Sequence, residues 1–203
     1  MRYSNYYNIV KTILLEKGME YEEIYALPSQ ESDYLQKSPM GKVPCIETAE
    51  GFITETTVII DYLDELGIGP SFYPDSVFQR AKVRKLITHI ELYLELQARK
   101  LYGEVFFGKP GNEETRSIVK PQLKKGFLSL AKLAKFSPYL NGESITYADF
   151  YFRFAMSPAL MVCKKALGWD AFNEVPNLKE LIGLLDQRKS VKQVMADQAA
   201  EPR

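Results

Sequence analysis

Residues 38–57 read SPMGKVPCIETAEGFITETT, and they determine the expected fold of the first third of the chain. A proline restricts the residue before it to extended backbone, so Pro44 places Val43 in that conformation. If the Val43–Pro44 bond is cis, the chain turns sharply there and leaves the Val43 N–H and C=O without sheet partners. Those two groups can then pair with the main chain of a bound peptide, as an added strand does at a sheet edge. The stretch therefore predicts a site for a small, extended peptide.

The second half of the stretch predicts a hairpin and then a helix. The hairpin is expected to have strands over 44–47 and 52–54, closed around Glu50 and Gly51. Apolar residues follow at helical spacing, so a helix is expected from about 55 to 66. Its N-terminus offers unpaired N–H groups and a positive dipole, which suit a ligand carboxylate beside the Thr56 hydroxyl. The Glu55 carboxylate can accept the ammonium group of the same ligand.

Net charge, cysteine and histidine content, and the lengths of apolar runs argue against several classes of protein. The chain has 203 residues with 26 basic and 26 acidic side chains, and a net charge of zero argues against a nucleic-acid partner. Cys45 and Cys163 are far apart and His89 is the one histidine, so neither a disulfide framework nor a metal site is expected. Neither a long apolar run nor a signal-peptide core is present, which predicts a cytoplasmic protein without a membrane segment.

The residues before the hairpin predict a helix and a strand. The helix carries Ile9, Val10, Ile13 and Leu14 on one face and stops at Gly18. A strand is expected over 21–27, where β-forming residues alternate with acidic ones. A first strand should precede the helix, but Arg2 and Tyr3 are too few for it. Either that strand is cut short or the sequence lacks some leading residues.

The rest of the chain predicts helices only. Gly67 to Pro74 contains several helix breakers and is expected to be a linker. A long apolar stripe over 83–101 predicts a central helix, and another helix is expected over 113–136. Thr146 and Asp149 form a capping box that opens a further helix. Two short helices are expected over 176–185 and 190–195.

The pattern P-x-G-K-V-P, followed by a hairpin and then Glu-Thr at a helix start, resembles the glutathione site of the glutathione transferase superfamily. The capping box extends the resemblance into the second half, so it covers nearly the whole chain. It implies an α/β plus all-α fold, with a thioredoxin-like domain (1–67, order β-α-β-α-β-β-α), a linker (68–75) and an all-helical domain (76–203). It also implies that Val43 and Pro44 bind the cysteinyl part of glutathione, and that Glu55 and Thr56 bind the γ-glutamyl end.

In this family a hydroxyl or thiol donor near the glutathione sulfur lies between the first strand and the first helix. Counting back from Gly18, Ser4 falls at the position of the catalytic residue in the serine- and cysteine-type classes. An ordinary helix N-cap is the alternative role for Ser4. Tyr6, together with Asn5 and Tyr7, could share or take the catalytic role. Asn5 stands where proline usually follows the catalytic residue.

Other contacts follow from the resemblance with less support from the residues themselves. Lys42 could pair with the glycyl carboxylate of glutathione, or simply be a solvated lysine. Gln30 falls where some members place a contact to that carboxylate. An apolar second-substrate pocket would lie between the domains against the long helix, with Tyr102 and Phe106 as candidate lining residues. Aromatic residues at helical spacing belong more often to the core than to a pocket.

These observations predict an enzyme of the glutathione transferase type. It would activate the glutathione thiol and conjugate it to a small hydrophobic electrophile, without a metal and as a homodimer. Two alternatives remain open. One is a non-catalytic glutathione-binding or regulatory protein with the same fold, and the other is a glutathione-dependent isomerase or dehalogenase.

Overall fold

The computed structural model describes residues 3–201 of the chain. In chain order, its elements are α1 (Asn5–Lys17), α2 (Ser32–Lys37), β1 (Cys45–Thr48), β2 (Gly51–Thr54), α3 (Thr56–Glu65), α4 (Val77–Ile90), α5 (Leu96–Arg99), α6 (Tyr102–Phe106), α7 (Glu113–Leu133), α8 (Tyr147–Lys165), α9 (Asn177–Leu185) and α10 (Lys189–Ala200). A π-helical turn over Glu91–Glu95 joins α4 to α5, and a short 3₁₀ turn spans Ala171–Asn173. A small sheet-containing part followed by helices confirms the predicted fold class.

The chain forms two compact units. One unit combines the residues up to Phe72 with the C-terminal segment from Gln187, and the other spans Tyr73–Asp186. The sequence placed that C-terminal segment in the all-helical domain. Instead α10 packs on α1, with Val191 and Val194 fully buried. These contacts are between residues far apart in the sequence, which a local pattern does not reveal.

The sheet within the described residues is an antiparallel pair, β1 with β2. Its register runs from Cys45 opposite Thr54 to Thr48 opposite Gly51. The turn is therefore Ala49 and Glu50, and Gly51 belongs to β2 rather than to the turn.

The predicted strand over 21–27 does not form. This segment has no regular structure, and several of its apolar side chains, such as Ile24 and Tyr25, are exposed. A strand requires hydrogen bonds to a neighbouring strand. The expected partner was the first strand, yet Tyr3 lies in a turn and Arg2 falls outside the described residues. The segment thus has no partner strand among the residues that the structure describes.

Helices α1 and α3 pack together. Both bury isoleucine side chains, Ile9 and Ile13 on α1 and Ile59 and Ile60 on α3, and both C-terminal ends meet at Lys17. The Lys17 ammonium group donates to the Pro70 carbonyl at 3.1 Å and lies 3.9 Å from the Asp64 carboxylate. Gly69 has φ +67° and lies so close that a Cβ there would be 2.0 Å from the Lys17 carbonyl oxygen. The C-terminal ends of α1 and α3 therefore lie close together in the first unit.

The second unit is all-helical around α8. This helix is buried on most sides and begins with the predicted capping box of Thr146 and Asp149. The predicted central helix is divided, because the π turn interrupts it and α5 ends at Arg99. Helix α7 contains Pro121 and ends at Leu133, before the predicted position 136. Among the described residues, no helix is long and apolar enough to cross a membrane.

Candidate functional site

Ser4 is the N-cap residue of α1. Its backbone is extended, and its Oγ accepts a hydrogen bond from the Tyr7 main-chain N–H at 3.3 Å. The Ser4 carbonyl oxygen accepts the first intrahelical bond, from the Asn8 N–H at 3.0 Å. A capping hydroxyl uses only an oxygen lone pair in this role, so its hydrogen remains available to a ligand atom. The N-cap role expected as the alternative is therefore present, and it is compatible with donation to a sulfur.

The neighbours of Ser4 differ in what they contact. Asn5 and Tyr6 are half-buried in the first turn of α1. The Tyr7 ring lies 5.8 Å from the Lys11 ammonium nitrogen. Burial raises the pKa of the Tyr7 phenol, and the negative charge of the nearby Glu23 adds to this effect. Tyr7 therefore belongs to the polar cluster around Lys11, and we regard it as the weakest alternative to Ser4.

The segment before β1 is fixed by side chains that bind its backbone. The Lys42 carbonyl accepts hydrogen bonds from the Ser38 hydroxyl at 2.8 Å and the Tyr34 hydroxyl at 3.0 Å. Ser38 Oγ also accepts from the Lys42 N–H at 3.2 Å. The next peptide bond, Val43–Pro44, is cis. The strand ladder starts at Cys45, and no backbone–backbone hydrogen bond within residues 3–201 involves Val43.

Glu55 and Thr56 form the start of α3. Glu55 occupies the N-cap position with φ 65° and ψ 113°, a region that residues other than glycine rarely adopt. Its side chain does not cap the helix and is exposed. Thr56 is buried and is the first residue of the helix. Backbone strain of this kind costs about 1–3 kcal/mol and is often found at functional sites.

The N-termini of α1 and α3 both lie in the first unit. Each N-terminus carries about half a positive charge from the helix dipole. Such an end favours an anionic ligand group, such as a carboxylate or a thiolate. Ser4 and Thr56 place hydroxyls at these two ends.

Comparison with known proteins decides the family. The model of the glutathione S-transferase N-terminal domain matches residues 1–71, and that of the C-terminal domain matches residues 97–198. A glutathione S-transferase from Pseudomonas putida is 41% identical over 197 residues, which covers 97% of this chain and 90% of that protein. This chain belongs to the glutathione S-transferase family.

Two further comparisons are more distant. A stringent starvation protein A homolog from Histophilus somni is 29% identical over 147 residues, covering 72% of this chain and 66% of that protein. The crystal structure of glutathione transferase Omega 3C from Trametes versicolor superposes with a TM-score of 0.79 at 19% identity. That superposition covers 95% of this chain and 85% of the Trametes chain, and it shows the shared glutathione transferase fold.

Lys42 and Gln30 lie close to Gly41, where two loops of the first unit meet. The Lys42 side chain is exposed, and the Gln30 amide donates weakly to the Met40 carbonyl at 3.5 Å. Gly41 has φ +64°, and a Cβ there would be 2.2 Å from the Ser29 carbonyl oxygen. The glycine thus allows the loop carrying Gln30 to cross the loop carrying Lys42.

Tyr102 and Phe106 lie on α6, in the second unit. Their rings form an edge-to-face pair with centroids 5.1 Å apart. The Tyr102 hydroxyl donates to the buried Glu95 carboxylate at 3.2 Å, and the Arg99 guanidinium lies 5.0 Å from the Tyr102 ring centroid. Phe106 is partly exposed. Their role as lining of a second-substrate pocket remains a prediction.

Cysteines and metal-ligating residues add no further site. The Cys45 thiol is half-buried and lies 3.3 Å from the Lys37 carbonyl, and burial raises the pKa of the thiol. Burial also raises the pKa of Cys163 to about 12, which keeps it a thiol. In the part of the chain that the structure describes, no group of three His, Cys, Asp or Glu side chains could hold a metal ion.

The residues that hold the site in place were not among the sequence predictions. Ser38 and Tyr34 bind the backbone of residue 42, and Lys11 is paired with Glu23 and Asp197. A usable signal existed for Ser38, since a serine a few residues before a turn commonly bonds to backbone groups. The pairing of Lys11 with Asp197 had no such signal, because it spans almost the whole chain.

Proposed function

We propose that this protein binds glutathione on its first unit, activates the glutathione thiol with Ser4, and conjugates it to a small hydrophobic electrophile. The observation that carries this proposal is the Ser4 hydroxyl at the N-terminus of α1. It accepts from the Tyr7 N–H, and its own hydrogen can be donated to the sulfur. Membership of the glutathione S-transferase family supports glutathione as the ligand.

The energetic requirement is modest. An unperturbed thiol has a pKa of about 8.5, and lowering it by about two units requires roughly 2.7 kcal/mol. One hydrogen bond to a charged group contributes about 1.5–3 kcal/mol. A helix N-terminus adds about 0.3–1 kcal/mol in favour of an anion. A hydroxyl at the N-terminus of α1 is therefore sufficient to form the thiolate near neutral pH.

The remaining residues would hold the peptide. The Val43 N–H and C=O would pair with the cysteinyl main chain, next to Pro44. Thr56 and the amides of the first turn of α3 would receive the γ-glutamyl carboxylate, and Glu55 would accept its ammonium group. Lys42 would pair with the glycyl carboxylate.

In the reaction, the thiolate sulfur would form a bond to an electrophilic carbon of the second substrate. The thiol proton would pass to solvent when the thiol ionises, before this bond forms. In a substitution, the electron pair of the bond that breaks would leave with the departing group. In an addition, it would move onto the neighbouring atom of the electrophile, which would then take a proton from solvent. Ser4 would keep its hydroxyl hydrogen directed at the sulfur until that bond forms. We assign Tyr102 and Phe106 to the surface that receives the apolar part of the electrophile.

The test is a calorimetric titration with glutathione and S-methyl glutathione, followed by ultraviolet absorbance of the bound thiolate. Binding of both ligands, with a thiolate signal for glutathione at neutral pH, would support the proposal. Binding without a thiolate signal would indicate a glutathione-binding protein that does not transfer it. Absence of binding would refute the proposal.

We also propose that the protein is a cytoplasmic homodimer. Dimers are common in this family, and the zero net charge of the chain offers little repulsion between copies. Light scattering coupled to size exclusion would then report about twice the 23.2 kDa of one chain. A mass of one chain at micromolar concentration would rule out a stable dimer.

A further inference from the structure

The C-terminal helix α10 lies antiparallel to α1 within the first unit. Near the start of α10, the Arg188 guanidinium forms a paired contact with Glu16, with Nε 2.7 Å from Oε1. Further along α10, the Asp197 carboxylate lies 2.8 Å from the Lys11 ammonium nitrogen. Residues nearer the C-terminal end of α10 therefore contact residues nearer the N-terminal end of α1, where Ser4 lies.

The last of these contacts reaches the residue beside Ser4. The Tyr3 hydroxyl donates to the main-chain carbonyl of Glu201 at 2.7 Å. Tyr3 precedes the N-cap residue, and Glu201 follows the end of α10. Glu201 is buried and Tyr3 is 38% exposed, so this hydrogen bond is partly shielded from water. One end of α10 thus fixes the chain just before Ser4.

A second connection passes through the Lys11 side chain. Lys11 is buried and contacts both Glu23, at 2.5 Å, and Asp197, at 2.8 Å. Burial favours the neutral amine, but the hydrogen bonds that Lys11 donates to both carboxylates outweigh it and raise the pKa of Lys11. The charged ammonium group lies 5.8 Å from the ring centroid of Tyr7. Tyr7 is the residue whose N–H donates to Ser4 Oγ.

We propose that Tyr3 and Asp197 are positioning residues for the Ser4 hydroxyl. Tyr3 acts through its contact with Glu201, and Asp197 acts through its contact with Lys11. The inference rests on the proposed function, in which Ser4 donates to the glutathione sulfur. Tyr3 holds the chain on the N-terminal side of Ser4. Asp197, through Lys11, holds the first turn of α1, where the Tyr7 N–H meets Ser4 Oγ. Without either contact, the hydroxyl samples orientations that do not point at the sulfur.

The test compares three variants that each weaken one polar contact of α10. Tyr3→Phe and Asp197→Asn change the contacts next to Ser4 and Lys11. Ser190→Ala is the matched control, because the Ser190 hydroxyl contacts Glu16 near the far end of α1. Three readouts are measured for each variant. They are the hydrogen exchange of the Tyr7 amide, the thiolate absorbance of bound glutathione across a pH series, and the steady-state kcat and glutathione KM.

The Tyr7 amide reports on Ser4 directly. The first N–H groups of a helix lack intrahelical acceptors, so protection of this amide depends on its bond to Ser4 Oγ. We expect Tyr3→Phe and Asp197→Asn to speed its exchange by about three- to tenfold, the loss expected for one hydrogen bond. We also expect a higher apparent pKa of the bound thiol and a lower kcat, with the glutathione KM changed by less than about twofold. Ser190→Ala should leave all three readouts as in the wild type.

Two results would overturn the inference. One is unchanged Tyr7 amide exchange in Tyr3→Phe and Asp197→Asn, and the other is the same change in Ser190→Ala. Failure of the proposed function has a different signature, which is the absence of a thiolate signal in the wild-type protein. In that case the exchange data still decide whether α10 holds the Ser4 hydroxyl.

Discussion

Gly126 on α7 lies directly against the main chain of Tyr93, in the π turn after α4. A Cβ added at Gly126 would be 2.5 Å from the Tyr93 carbonyl oxygen and 2.8 Å from Leu94 Cδ2. On the other side, His89 Nε2 lies 2.9 Å from the Gly126 carbonyl oxygen. A carbonyl can only accept, so the His89 ring carries its hydrogen on Nε2. The one histidine of the chain therefore has a structural role in holding two helix backbones together.

Replacing Gly126 with alanine should destabilise the protein. The added methyl group meets backbone atoms, which cannot move aside cheaply, and overpacking of this kind costs about 1–3 kcal/mol. The matched control is Gly183→Ala on α9, where a Cβ would meet nothing within 4 Å. Helix propensity alone should make that variant more stable by about 0.5–1 kcal/mol. Urea unfolding of both variants measures the two shifts, and equal shifts would contradict the close approach.

Replacing Glu55 with glycine should stabilise the fold and weaken glutathione binding. Glycine adopts φ 65° without strain, so we expect the free energy of unfolding to rise by about 0.5–2 kcal/mol. Loss of the carboxylate should weaken glutathione binding by about tenfold or more.

Glu55→Gln is the control for this prediction. It keeps the strained backbone and removes only the charge, so it should weaken binding without raising stability. Thermal unfolding and calorimetry of the two variants separate the effects. A Glu55→Gly variant less stable than the wild type would contradict the assigned strain.

The Asp149 carboxylate should make stability depend on pH. It accepts hydrogen bonds from the Leu140 and Thr146 N–H groups, both at 2.8 Å, but burial outweighs them and raises the pKa of Asp149 to about 6. An acid with a raised folded-state pKa gives stability that is fully present below its unfolded pKa, about 4, and lost as the pH rises through about 6. Asp149→Asn removes this titration.

The measurement is the difference in free energy of unfolding between the wild type and Asp149→Asn at pH 4 and pH 7. We expect the advantage of the wild type to be larger at pH 4, by about 2 kcal/mol. Other carboxylates, such as Glu16, titrate in both proteins and cancel in the comparison. A difference that does not change with pH would show that Asp149 titrates normally in the fold.

Substitution of Ser4 can separate its capping role from its proposed catalytic role. Aspartate caps a helix as well as serine does, so Ser4→Asp should keep the fold within about 0.5 kcal/mol. It lacks a hydrogen to donate and adds a negative charge beside the thiolate, so turnover with an aryl halide should fall by about tenfold or more. Ser4→Thr keeps the hydroxyl and should retain most activity. Full turnover in Ser4→Asp would transfer the role to Tyr6.

Much of the fold was predictable because its signals are local. Pro44 restricts Val43, Thr146 and Asp149 cap each other three residues apart, and Gly18 ends α1. Each of these rules acts within a few residues, so the sequence shows it directly. The prediction of a strand over 21–27 was wrong for the opposite reason, because a strand depends on a partner strand that the segment itself does not contain.

The glutathione-site residues were placed by the family pattern, and their binding roles remain predictions. The structure adds features that no local pattern contains, such as the positive φ of Glu55 and the hydrogen bond from the Ser38 hydroxyl to the Lys42 carbonyl. These depend on how the loops and helices pack around them.

The sequence by itself determined the two kinds of fold in this chain, the hairpin with its following helix, the capped start of α8, and the position of Ser4 before α1. Only the tertiary structure decided that α10 joins the first unit and that its end lies beside Ser4, through Tyr3 and Glu201. Local signals arise from steric and hydrogen-bonding rules between near neighbours in the chain. The pairing of α1 with α10 brings together the two ends of the sequence, and it exists only after the elements between them have packed.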